Sequence, residues 1–161
     1  MAYTDFVFYQ KSYFGDVLTE ENAAKWLARA SDELDAITFG RLTFAFPTNE
    51  AHAEKVRKSV CAVAEALCQI NAHRVAMSAQ KGADGSYHGT VTAISSGKES
   101  ISYSVNNAAT VYGAAAASAE AQNSLIRAIA AKYLANIPDA NGVNLLYAGG
   151  VSRVWSYNHG I

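Results

Sequence analysis

The residues with most chemistry to offer lie in one short stretch, TAISSGKESISYS at 92–104, which holds five serines, a glycine and a lysine. A phosphate cradle needs a glycine, four residues, then Gly-Lys-Ser/Thr, so that backbone amides surround the phosphate and the hydroxyl reaches magnesium. Gly97–Lys98 has Thr92 at the place of the first glycine and Glu99 at the place of the hydroxyl. Both ends fail, and the carboxylate would repel a phosphate. A serine nucleophile needs a base within hydrogen-bonding reach and an oxyanion hole. The chain has no G-x-S-x-G elbow, and His52, His73, His88 and His159 are scattered along it. Cys61 and Cys68 stand seven residues apart in a helical pattern. That is about 10 Å along the axis, too far for a disulfide, and no basic or histidine partner stands beside either. They read as reduced, buried thiols of a protein made in a cytosol. No two His, Cys or acidic residues stand at a recognised metal-ligand spacing. Asp32, Glu33 and Asp35 read as a solvated acidic helix face, not an acid/base pair. The expectation is a protein that is not an enzyme, with no catalytic residue, no cofactor and no metal.

The bulk composition narrows the partners. The 161 residues suit one domain, and 31 of them are alanine, so the core is thinner than its apolar fraction suggests. A share of the stability is then expected from neighbouring subunits. The formal net charge is −1, and thirteen basic residues spread along the chain do not make a nucleic-acid groove or a lipid-binding face. No apolar run approaches a membrane span, and MAYTDFVFYQK lacks a signal peptide's basic start and cleavage site.

Three helices are expected to position these residues. The first is TEENAAKWLARASDELDAITFGRL, capped by Thr19, with Glu20 and Glu21 at the end the dipole favours. Trp26, Leu27, Ala30, Leu34 and Ile37 make its apolar stripe, and Gly40 ends it beside Arg41. The aromatic lead segment 1–18 is expected to cross the bundle without helical order, turning at Gly15–Asp16. The second helix follows Pro47, with Thr48 as cap and Val56, Val60, Val63, Leu67 and Ile70 as a packing seam. Lys55, Arg57, Lys58, Glu65 and Gln69 form its solvated face. Residues 79–117 read as a hairpin loop, with strands near 87–94 and 99–105 around SSGK, because Ile101, Tyr103 and Val105 alternate with serines. No residue from Ser100 to Ala119 carries a formal charge, which suits a segment covered by another chain. The third helix runs from its cap Ser118 to Ile137 with Leu125, Ile126, Ile129, Tyr133, Leu134 and Ile137 as its apolar face, and Pro138 and the DANG turn stop it. The tail, 138–161, is extended, and its aromatics suggest docking onto something. The fold class is mainly α: a small bundle of three main helices, with a hairpin between helices two and three and an extended C-terminal tail.

Several stretches together resemble the head–tail connector (adaptor, or head-completion) proteins of long-tailed phages and prophages. They are YTDFVFYQKSYFGDVLTEENAAKWLARASDELDAITFGRL at 3–42, AISSGKESISYS at 93–104, AAKYLAN at 130–136 and GVNLLYAGGV at 142–151. The A-S-x-x-L-D-x-I-T-x-x-R-L pattern from Ala30 to Leu42 and the S-x-G-x-E-S-I-S-Y loop are the distinctive parts. The resemblance implies a virion structural protein, assembled in the bacterial host cytoplasm and located in the phage neck. Such subunits form a ring with themselves, typically of twelve, under the portal protein, and carry the next neck protein, a stopper or tail-completion protein. Double-stranded DNA passes through the ring without sequence-specific binding, and no membrane is involved. The resemblance marks Ser96, Gly97, Glu99, Ser100, Ile101 and Tyr103 as the contact loop, and Tyr147 and Gly149 with the following tail as a second contact region. Trp155 and Tyr157 belong to that tail, although 155–161 follows no pattern of the family. The alternative is a cytosolic helical interaction or regulatory module that dimerises through the seam of helix two.

Overall fold

A computed structural model describes residues 2–77, 80–81, 87–88, 93–96, 99–102 and 110–148. The protein is mainly helical, as its periodicities predict. The lead segment departs from expectation by being helical itself: α1 spans Phe6–Phe8 and continues as a π-helix over Tyr9–Tyr13. Asp5 starts it, its carboxylate accepting from the Phe8 amide at 2.8 Å. Phe14, with φ +59°, ends it in the left-handed region. The wider π turn places the rings of Phe6, Tyr9 and Tyr13 in a stack, with centroids 6.0 and 5.8 Å apart.

Helix α2 spans Glu20–Ile37, and Thr19 caps it through a capping box with Asn22. All five expected stripe residues are buried. The helix stops three residues before Gly40, which corrects the expected end. The Gly40 amide donates to the Asp35 carbonyl (2.8 Å) and the Phe39 amide to that of Ala36 (3.4 Å). This is the paired pattern of a Schellman motif, with Phe39 in the left-handed position at φ +56°. Gly40, also left-handed, opens the one-turn helix α3, Arg41–Phe44.

Helix α4, Glu50–Met77, is the central element, packed by α2 on one side and by α5 and α6 on another. Its cap is Asn49, not Thr48: the Asn49 Oδ1 accepts from the amides of Ala51 (2.9 Å) and His52 (3.3 Å). Val56, Val60, Val63, Leu67 and Ile70 are buried in the chain's own core. Glu65 is not on a solvated face; it accepts from the Tyr9 hydroxyl at 2.7 Å and the Tyr13 hydroxyl at 3.2 Å.

Among the described residues four short strands follow. β1 (Gln80–Lys81) pairs antiparallel with β2 (Tyr87–His88). β3 (Ala93–Ser96) pairs with β4 (Glu99–Ser102), placing Ile94 opposite Ile101 and Ser95 opposite Ser100. The hairpin around SSGK is therefore present, but its first strand begins at Ala93, because Tyr87 and His88 are taken by β1. The segment read as loop to 117 ends in helix instead: α5 spans Val111–Ala117, where the Thr110 hydroxyl caps the Gly113 amide at 2.9 Å. Its alanines carry helix propensity but no apolar stripe to announce it. Helix α6, Ala119–Leu134, starts at the expected cap Ser118. It ends three residues before Ile137, which is buried beyond it. A tight loop then forms on Asp139, whose Oδ1 accepts from the amides of Asn141 (2.8 Å) and Val143 (2.9 Å). In the part of the expected extended tail that is described, 138–148, the backbone makes this loop and one isolated bridge, Pro138 opposite Asn144. Residues 149–161 lie outside the described residues.

Candidate interaction surface

The pattern from Ala30 to Leu42 shows its purpose residue by residue. Ala30, Leu34, Ile37 and Leu42 are core. Ser31 and Thr38 are fully buried polar residues that return their hydroxyl protons to the carbonyls of Leu27 and Leu34, both at 2.8 Å. Ser31 Oγ also accepts from the Tyr3 amide at 3.1 Å, and Asp35 accepts from the Tyr3 hydroxyl. The pattern thus moors the N-terminal segment to α2. Arg41 moors the other end. It lies 3.5 Å from Asp139, donates from Nε to the Tyr147 carbonyl at 3.2 Å, and places its guanidinium 6.0 Å from the Tyr147 ring centre. The sequence reading put Arg41 beside the carbonyl end of α2; its partners are instead residues about 100 positions later.

Three large aromatic residues in and after this pattern face outward. Phe39 is 55% exposed, Phe44 is 90% exposed, and Tyr147 is 52% exposed. A Cβ at Gly40 would lie 3.6 Å from the Phe44 ring, so Phe44 folds back over the α2–α3 turn. Phe39 and Phe44 thus flank the α2–α3 turn, and Tyr147 is held by Arg41 from that turn. Sequence reasoning marked Tyr147 but missed Phe39 and Phe44. A phenylalanine before a glycine at a helix end was the only signal available for the first.

Of the other expected contact residues, Ser96 is paired with Glu99, Ser100 with Ser95 and Ile101 with Ile94 in the β3–β4 register. Gly97, Tyr103, Gly149, Trp155 and Tyr157 fall outside the described residues.

The groups tested for chemistry are placed as follows. Cys61 and Cys68 are both free thiols on α4. Burial, with the nearby Glu65 charge, pushes Cys61 up to about 12, and burial raises Cys68 as well, which disfavours a thiolate at either. His52 and His73 lie at opposite ends of α4, about 31 Å apart along its axis. Asp32 and Glu33 line a cleft of about 240 Å³ between α2, α4 and α6, together with Trp26, Arg29 and Arg74. Arg74 in that cleft donates to the Ala116 carbonyl (3.2 Å) and to Gln122, and Asp35 accepts from the Tyr3 hydroxyl. Among the described residues no group of His, Cys, Asp and Glu could hold a metal ion, and no helix is long and apolar enough to cross a membrane.

Compared with known proteins, the chain matches no protein family, no curated protein and no solved structure.

Proposed function

We propose that this chain is a structural subunit of the neck of a long-tailed phage or prophage. On this reading it forms a ring under the portal, extends the DNA channel and joins the head to the next neck protein. The observation that carries the proposal is the β3–β4 hairpin, which falls within the AISSGKESISYS stretch of the resemblance and joins α4 to α5. Among the described residues its sheet has two strands, so each strand keeps an outer edge of backbone donors and acceptors that another chain can pair. The absence of formal charge from Ser100 to Ala119 suits such pairing. The Ala30–Leu42 pattern supports the reading differently, since its residues moor the N-terminal segment and the loop of residues 139–147 and leave Phe39 exposed.

The test is Ile101→Asp in this chain, mixed with the portal protein that the reading expects its genome to encode. The variant keeps the melting temperature of the wild type and loses the portal-bound ring, because an unpaired charge buried between subunits costs several kcal/mol, roughly. A variant that unfolds instead would put the strand in the protein's own core. The dimeric-module reading loses its proposed surface, since the seam residues of α4 are spent inside the bundle.

A further inference from the structure

The loop after α6 carries a reactive pair that the proposed function does not use. Asn141–Gly142 is the one place in the chain where glycine follows asparagine. Asparagine is a thermolabile residue. Its side-chain amide carbon can close a five-membered ring with the backbone nitrogen of the next residue. A side chain on that next residue crowds the closure, and glycine has none. Asn141 and Gly142 are both exposed. A Cβ at Gly142 would meet nothing within 4 Å, so no neighbour fills the space beside it.

The attacking atom is the Gly142 nitrogen, and the loop holds it. Its N–H donates to the Asp139 carbonyl at 3.0 Å, closing a four-residue turn. The nitrogen becomes a nucleophile only by losing that proton, and the carbonyl oxygen facing it opposes the negative charge that results. The turn is itself held from several sides. Buried Asp139 accepts through Oδ1 from the amides of Asn141 and Val143. The Asp139 amide donates to the Val143 carbonyl at 2.7 Å, and the Ala140 amide to the Ala45 carbonyl at 3.0 Å. Arg41 Nη1 lies 3.5 Å from Asp139 Oδ2. Attack therefore needs the loop to open. The rate in the folded chain is the rate of the free segment multiplied by the fraction of time the loop is open.

We propose that Asn141 is a site of spontaneous deamidation that reacts only through the opened state of the Asp139 loop. The Gly142 nitrogen gives its proton to solvent and bonds to the Asn141 side-chain carbonyl carbon. The bond from that carbon to the side-chain nitrogen breaks, and ammonia leaves with a proton returned from solvent. Water then opens the succinimide at either carbonyl, giving aspartate or isoaspartate, with no oxidation or reduction in either step. Both products place a new carboxylate two residues from Asp139. Isoaspartate also routes the main chain through Cβ, which lengthens the loop by one atom and upsets the spacing of the bonds from Gly142 and Val143 back to Asp139. Arg41 bridges Asp139 and Tyr147, so a loosened loop also loosens that tether. The modification is a one-way record of loop opening, and it stands apart from the neck reading.

The experiment incubates this chain at mildly alkaline pH, folded in buffer and unfolded in guanidinium chloride, and follows the peptide holding Asn141 by mass spectrometry. The unfolded chain should convert Asn141 at least about tenfold faster than the folded one. Arg41→Ala should raise the folded rate by about tenfold, because it removes the partner of a buried carboxylate. Its circular dichroism shows whether the bundle remains folded. Hydrogen exchange of the wild type supplies a second measure that needs no variant: protection of the Gly142 amide should match the factor by which folding slows deamidation, since one opening governs both. Equal rates in the folded and unfolded chains would overturn the control by the loop. So would a folded Arg41→Ala protein that reacts as slowly as the wild type, or protection that departs from the slowing by more than about tenfold. An Asn141 that stays intact in the unfolded chain would overturn the site itself.

Discussion

Tyr9→Phe isolates one oxygen atom that ties three parts of the fold together. The Tyr9 side chain is fully buried, and its hydroxyl donates to Glu65 Oε1 on α4 at 2.7 Å. The same oxygen accepts from the amides of Val17 (2.8 Å) and Leu18 (2.9 Å) in the connection to α2. Phenylalanine keeps the ring, its stacking and its volume, so the change is confined to those three hydrogen bonds. Glu65 retains the Tyr13 hydroxyl at 3.2 Å and loses little. The amide of buried Leu18 is left without a partner, at a cost of about 1–3 kcal/mol, and that of half-buried Val17 adds about 1 kcal/mol. The expected loss is about 2–4 kcal/mol, a large part of a typical total stability of about 5–15 kcal/mol. Urea denaturation followed by far-UV circular dichroism measures it as a lower midpoint with an unchanged slope. A loss below about 0.5 kcal/mol would mean that solvent already reaches these amides, and the buried hub would be refuted.

Three further outcomes follow from local geometry. Phe39→Gly should be more stable than Phe39→Ala by about 1 kcal/mol in denaturant titrations, because alanine keeps the left-handed strain. In a right-handed helix the order reverses, so alanine ahead of glycine would contradict the Schellman assignment. Gly15→Ala should destabilise strongly and lower the melting temperature, since a Cβ there overlaps the buried Tyr9 ring; a wild-type melting curve would show that the ring can yield. Stability should fall with alkali from about pH 9 to 12. Burial first, and carboxylates second, raise Cys61 from 9.0 and Tyr3 and Tyr9 from 10.0 to about 12 in the folded chain. The unfolded chain releases these protons earlier, so their contribution is complete below pH 9 and lost as pH rises through the folded values. Melting temperatures in reducing buffer should show the decline, and Cys61→Ala should remove its first part; a flat profile to pH 11 would refute the burial of these groups.

The helices and their buried faces were legible because a 3.6-residue period records which side faces the core. Trp26, Leu27, Ala30, Leu34 and Ile37 on α2 and Val56, Val60, Val63, Leu67 and Ile70 on α4 are buried as the spacing predicts, whereas Leu125, Ile129 and Tyr133 on α6 are only half-buried. The caps were partly legible. Thr19 and Ser118 were found, whereas Thr48 and Asn49 are both good caps and only the geometry of entry after Pro47 selects Asn49. The lead segment was misread although Phe6, Tyr9 and Tyr13 stand three and four residues apart, because Tyr3, Phe8 and Phe14 around them hide that helical spacing. Glu65 read as solvated for another reason: its partners, Tyr9 and Tyr13, lie more than 50 residues away. The candidate surface was half legible. Tyr147 was marked by resemblance, but the Arg41 tether joins residues 106 positions apart, which no local pattern encodes.

Assembly with the portal tests the central claim most directly. Native mass spectrometry of this chain, alone and with the portal protein that the proposal requires its genome to encode, reads both mass and stoichiometry. The account predicts a closed ring of this chain bound to the portal, absent with Ile101→Asp although that variant stays folded. A folded wild-type protein that forms only a dimer at all concentrations and leaves the portal unbound would contradict it.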